Sequence, residues 1–348
     1  MYYTLEEQLG QMICVGFRGD STDSARAVFR SIRDCLIGGI HLTDNVTPEA
    51  GDVGNVTSPA QLRQLNMDLQ RASAIPLFIT LDGEGGEVVR LRPRYGFPST
   101  RSARDFGERD DLDATRQQAA RMAELFVELG VNFNFAPVVD LLKNPDMRSL
   151  GRKRRCYSAD PEVVCRHAAA VIEEHHRRGI ACAIKHFPGH GSAGDDSHLG
   201  MVDVTATWSP EELEPFRRLI SRGVADGVMT AHVFLRHYDP DSPATLSRLV
   251  LDGLLRNELG FSGVILTDDL GMGALKNNYS DEDVVAEAVD AGADILLHAN
   301  VHPYDEYIAE KTFETLRMLV KNGRLCPERI AQSFARIMAL KRRLGLVP

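Results

Sequence analysis

Six apolar runs of this chain end on residues that can move protons or hold oxygen-rich ligands: Asp82, Asp140, the pair Lys185-His186, His232, Asp268 and His298. The densest of them opens the stretch Lys185-His186-Phe187-Pro188-Gly189-His190-Gly191-Ser192-Ala193-Gly194-Asp195-Asp196-Ser197-His198. Its glycines and proline mark a shaped loop rather than a helix. Ionisable groups this dense, directly after the apolar run 180–184, point to a functional site more than to a solvated loop. Three chemistries suit these residue types. Metal-assisted hydrolysis would draw on His186, His190, Asp196 and His198, completed by His232 and Asp268, but the spacing matches no zinc signature. Phosphate-ester recognition would use Lys185 and Arg155, with no phosphate loop to support it. Glycoside chemistry needs a nucleophilic carboxylate and a general acid/base on opposite sides of a sugar. Asp268 suits the first role. His198 suits the second, because imidazole titrates near neutral pH without large tuning. Asp196, two residues earlier, is placed to orient that imidazole. A lone His232 or His298 reads equally well as a loop polar group.

The elements that position these residues are short and regular. Apolar strand-like runs occupy 12–17, 36–42, 76–81, 131–136, 180–184, 226–231, 263–267 and 293–297. Helical patterns follow nearly all of them, several opened by a cap and proline such as Ser58-Pro59, Asp160-Pro161 and Ser209-Pro210. This alternation predicts a parallel sheet covered by helices. Eight repeats favour a closed (β/α)8 TIM barrel over an open doubly wound sheet. No Gly-x-Gly-x-x-Gly turn follows strand one, so dinucleotide binding has little support. Residues 1–348 read as a single barrel domain. In a barrel the C-terminal strand ends share one rim, which gathers the six polar ends into one mouth.

Composition narrows the partners. The 348 residues are 43% hydrophobic with a net charge of −9, which argues against a polyanion binder despite the basic run 152–155. The six cysteines are scattered without a Cys-x-x-Cys pair, so reduced thiols and a cytoplasmic protein are expected. No signal peptide is visible and no apolar stretch has the length of a membrane span. Neither nucleic acid nor membrane is an expected partner.

The stretch 185–191 (KHFPGHG) followed by 196–198 (DSH) resembles the single-domain β-N-acetylglucosaminidases of glycoside hydrolase family three. The resemblance extends to Asp82-Gly-Glu-Gly-Gly-Glu-Val-Val-Arg90, Asn134–Asp140, Arg155-Cys-Tyr, Ala231-His232, Ala244–Arg248 and Thr267–Met272. It implies a (β/α)8 barrel, retention of anomeric configuration, and no cofactor or metal. Asp268 falls on the family nucleophile, His198 on its histidine acid/base and Asp196 on the partner of that histidine. Asp82, Arg90, Arg155, Lys185 and His186 fall on sugar-binding positions. The implied substrate is a GlcNAc-containing muropeptide or another β-GlcNAc glycoside, met in peptidoglycan recycling. A β-glucosidase, a glycoside phosphorylase and an inactive sugar-binding barrel are the alternatives. Gly83 stands where many relatives have Gln, and Arg154 where Glu is often seen. Glycines 189, 191 and 194 suggest a loop free to bring His198 over the sugar.

Overall fold

The computed structural model describes residues 3–44, 54–194 and 200–348. Asp196, His198 and most of the 43–57 loop lie outside the described residues. Eight parallel strands form the centre: β1 (Ile13–Gly16), β2 (Gly39–His41), β3 (Phe78–Leu81), β4 (Phe133–Asn134), β5 (Ala181–Phe187), β6 (Gly227–Thr230), β7 (Val264–Leu266) and β8 (Leu296–His298). Each pairs with the next in chain order as far as β7, and β8 pairs with β1. A parallel bridge between Leu266 and Ile295 joins the remaining two and closes the ring. The fold is the expected (β/α)8 barrel.

The strands are buried along nearly their whole length because helices cover one face and the barrel interior fills the other. Phe78, Phe133 and Phe135 pack edge to face inside, with ring centroids 5.4 and 5.3 Å apart. Capping starts the helices where the sequence predicts. Ser58 accepts the Gln61 amide ahead of Pro59–Ala72, and Asp160 accepts the Glu162 amide ahead of Pro161–His176. Gly130, at φ 77°, ends Leu112–Leu129 in the left-handed conformation. Among the described residues no helix is long and apolar enough to cross a membrane.

The element bounds differ from the sequence expectation in three informative places. β5 continues to Phe187, so Lys185 and His186 are strand residues rather than loop residues. Rigid backbone therefore carries both. β8 begins at Leu296, not at 293, because buried Asp294 serves as an anchor instead. Its carboxylate accepts the Ile265 amide at 2.9 Å and the Arg256 guanidinium at 2.6 Å. The helix after β6, Leu249–Glu258, is wound as a π-helix, closed by a Leu259 amide that reaches back five residues to Leu254.

Candidate active site

A cavity of about 760 Å3 opens at the C-terminal ends of the strands, and Asp82, Arg90, Arg155, Lys185, His186 and Asp268 all line it. Asp82 follows β3 and accepts Lys185 Nζ at 2.9 Å on one oxygen and Arg90 Nη2 at 2.6 Å on the other. Glu84, two residues on, takes Lys185 Nζ at 2.7 Å. It also accepts Arg155 through two parallel bonds of 2.7 Å, the fork geometry that gives guanidinium its directional hold. Arg155 Nη2 lies 3.4 Å from His186 Nε2, and His186 Nδ1 lies 2.6 Å from Asp140 Oδ2. One ionic array therefore runs Arg90–Asp82–Lys185–Glu84–Arg155–His186–Asp140.

Asp82, Glu84 and Lys185 stay charged. Burial works against the Asp82 carboxylate, yet Lys185 and Arg90 hold it well below the ordinary range. Burial likewise opposes Glu84, and Arg155 with Lys185 overcomes it. Burial pulls Lys185 down, while Asp82 and Glu84 hold it above its ordinary value. Fixed donors and acceptors of both signs, lining a pocket of this size, suit a hydroxyl-rich ligand.

The aspartate pair after β7 divides its work. Asp269 Oδ1 accepts the amides of Gly271 at 3.0 Å and Ala299 at 2.9 Å, which ties the β7 loop to the β8 loop. Asp268 accepts the Asp269 amide at 2.8 Å and presents its carboxylate to the cavity. His232 is buried beneath them, its Nε2 3.0 Å from the Asp269 carbonyl and its Nδ1 2.8 Å from Thr245 Oγ1. It braces the aspartate turn rather than lining the mouth. His298 bonds Thr312 Oγ1 at 3.0 Å and lines a second, adjoining cavity. Asp140 is fully buried and acts through the amides of His186 and His190 and the His186 ring. Burial pushes His190 down to about 4, so its ring is neutral at physiological pH. Among the described residues no set of three His, Cys, Asp or Glu side chains converges as a metal ion requires.

Three further residues belong to the site. Glu84 carries two of its cations. His41 Nε2 sits 3.7 Å from Asp82 and its ring stacks on Phe135 at 5.2 Å. Asp44 pairs with Arg92 at 2.5 Å, Arg94 at 2.8 Å and Arg90 at 3.8 Å. His41 lies inside the apolar run 36–42 rather than at its end, so the strand-end signal did not mark it. Glu84 and Asp44 had no such signal either. Gly83 has a packing reason: a Cβ there would lie 2.6 Å from Phe126 and 3.0 Å from Asn134, whose side chain clasps the Gly83 backbone. The basic run splits. Arg155 turns inward, Arg154 pairs with Asp105 and Glu108, and Lys153 lines the mouth.

Residues 4–340 match the family model described as the glycosyl hydrolase family 3 N terminal domain. Beta-hexosaminidase A of Pseudoalteromonas piscicida is 32% identical over 319 residues, covering 83% of this chain and 52% of that protein. The beta-hexosaminidase of Idiomarina loihiensis is 38% identical over 256 residues, covering 71% of this chain and 74% of that protein. The solved structure of a glycoside hydrolase family 3 beta-N-acetylglucosaminidase from Paenibacillus superposes with a TM-score of 0.90 at 34% identity, over 99% of this chain and 63% of that one. The chain thus spans about half the length of the first of these relatives and under two thirds of the Paenibacillus chain.

Proposed function

The chain belongs to glycosyl hydrolase family 3, and from that premise we propose that it is a retaining exo-β-N-acetylglucosaminidase that works through a glycosyl-aspartate intermediate. The observation that carries the reading is one cavity lined jointly by Asp268 and by Asp82, Arg90, Arg155, Lys185 and His186. The ionic residues hold the ring hydroxyls of a terminal β-GlcNAc unit. Asp268 attacks the anomeric carbon while His198, oriented by Asp196, protonates the leaving oxygen. His198 then takes a proton from water, which displaces Asp268 and releases the sugar with its configuration kept. Contacts from the array that tighten as positive charge develops on the ring would raise the rate and not merely the affinity. The reading treats residues 1–348 as one catalytic domain. It places the work in the cytoplasm, on GlcNAc-anhydroMurNAc fragments of peptidoglycan, and the hexosaminidase names of the relatives support the sugar unit.

Hydrolysis of p-nitrophenyl β-GlcNAc by wild type and Asp268→Ala tests the proposal. The variant is expected to lose on the order of a thousandfold or more in kcat/KM, as loss of a nucleophile does. Unchanged turnover would reject the mechanism. NMR of the first-formed anomer should show β-GlcNAc, and adding phosphate should leave free sugar as the product.

A further inference from the structure

Glu212 is a buried carboxyl group that the mechanism above does not use. It sits in the short turn Pro210–Leu213 with 0% of its surface exposed. Among the described residues no cation pairs with it. Its Oε2 accepts the Ser192 amide at 3.3 Å, and its Oε1 has no hydrogen-bond partner among them. The backbone it touches belongs to the glycine-rich segment that follows β5. Gly189, at φ 115°, packs so close that a Cβ would lie 2.7 Å from Glu212 Cβ. Beside it, Trp208 Nε1 donates to the Pro188 carbonyl at 3.1 Å. From the opposite side, Asp140 accepts the His190 amide at 2.8 Å and Asn144 Nδ2 donates to the Ala193 carbonyl at 2.9 Å. Segment 188–193 is thereby held between the β4 loop and the Trp208–Glu212 turn.

A carboxyl buried without a cation is costly and calls for a reason. We infer that Glu212 is a positioning residue for the acid/base. It seats segment 188–193, from which the chain runs on to Asp196 and His198. The inference rests on His198 being the acid/base. Burial favours the neutral form of Glu212. Burial pushes its carboxyl up to about 7, with Asp140 adding repulsion across the segment. The neighbouring Lys143 is engaged by Glu211. Ionisation would place a second buried carboxylate charge across the segment from Asp140.

Leaving-group dependence separates positioning from mere stability. A misplaced acid penalises only leaving groups that need a proton, whereas a damaged sugar site penalises every substrate alike. For Glu212→Ala, kcat/KM is expected to fall about tenfold or more on an alkyl β-GlcNAc glycoside and to change little on the dinitrophenyl glycoside. Glu212→Gln, a neutral isostere, should restore the alkyl value. Equal losses on both substrates, or no loss on either, would overturn the inference. His198→Ala measured in parallel isolates the premise. If that variant shows no leaving-group dependence, the acid/base reading fails. If it does and Glu212→Ala does not, only the inference fails. Should Glu212→Ala not fold, Glu212→Gln decides. The fluorescence of Trp208, the chain's single tryptophan, should titrate near neutral pH in wild type and not in the glutamine variant. The same titration in both would overturn the inference.

Discussion

Glu84 shows what a single residue contributes and what a sequence hides. Its carboxylate accepts both forked bonds of Arg155 and is shared with Lys185. Glu84→Gln would leave two buried cations short of charge, a cost of about 3 kcal/mol or more. The expected outcome is a melting temperature lower by several degrees and a raised KM, measured by calorimetry and steady-state kinetics. The pH dependence has a definite sign. Glu84 and Asp82 carry pKa values below those of unfolded carboxylates. Their stabilisation is therefore full above the unfolded carboxylate range and is lost as pH falls through the lowered folded values. The glutamine variant should lose part of that acid-side dependence when melting temperature is followed against pH. Asp82, Lys185 and Asp268 were legible because each ends an apolar run, and a barrel brings such ends together. Glu84 was not, because its role depends on which cations face it, and Arg155 lies 71 residues away.

At the scale of the element, the strands were legible from apolar runs and the helices from caps, but the reason for the glycines was not. Composition suggested that Gly189, Gly191 and Gly194 free a loop to move. The structure gives the first two another cause. A Cβ on Gly191 would meet the Leu141 carbonyl oxygen at 1.7 Å, and Gly189 lies against Glu212. These glycines admit close backbone approach, and hydrogen bonds donated by Asn144 and Trp208 and one accepted by Asp140 fix the segment around them. At Gly194, by contrast, an added Cβ would meet nothing within 4 Å among the described residues. Gly191→Ala should therefore destabilise by about 1–3 kcal/mol through overpacking, and Gly194→Ala should stay within about 0.5 kcal/mol of wild type. Chemical denaturation of the two variants checks the contrast. Amide exchange at 189–193 slower than in exposed turns would agree with it, and equal sensitivity at both glycines would refute it. The extension of β5 through Phe187 was missed for a related reason. Charged residues in a strand read as a loop until a neighbouring carboxylate supplies partners for them.

Across the whole molecule the two ends of the barrel do different work. The C-terminal rim gathers the charged array, and the opposite end is closed by the last helix, Pro327–Arg343. Lys341 on that helix is fully buried and reaches Gln11 Oε1 at 2.5 Å, the Pro76 carbonyl at 2.5 Å and the Gly38 carbonyl at 3.1 Å. These three acceptors stand just before β1, β3 and β2, so one side chain ties the starts of three strands together. Its ammonium also lies 4.8 Å from the centre of the Phe78 ring. Burial drives Lys341 down to about 7 from an ordinary 10.5, with only a smaller opposing pull from Cys14. A base with a folded value below its unfolded one binds fewer protons when folded. Stability should therefore rise with pH between those two values and be lowest below the folded one. Lys341→Met keeps the aliphatic stem and removes the titration. Wild type should gain a few degrees of melting temperature between neutral and mildly alkaline pH, and Lys341→Met should lack that gain. Because the rim chemistry is at the other end of the barrel, kcat/KM of the folded variant at fixed pH should stay within about twofold of wild type. A variant that kept the alkaline gain would show that Lys341 does not titrate there. One that folded normally but lost activity would show that the two ends are coupled.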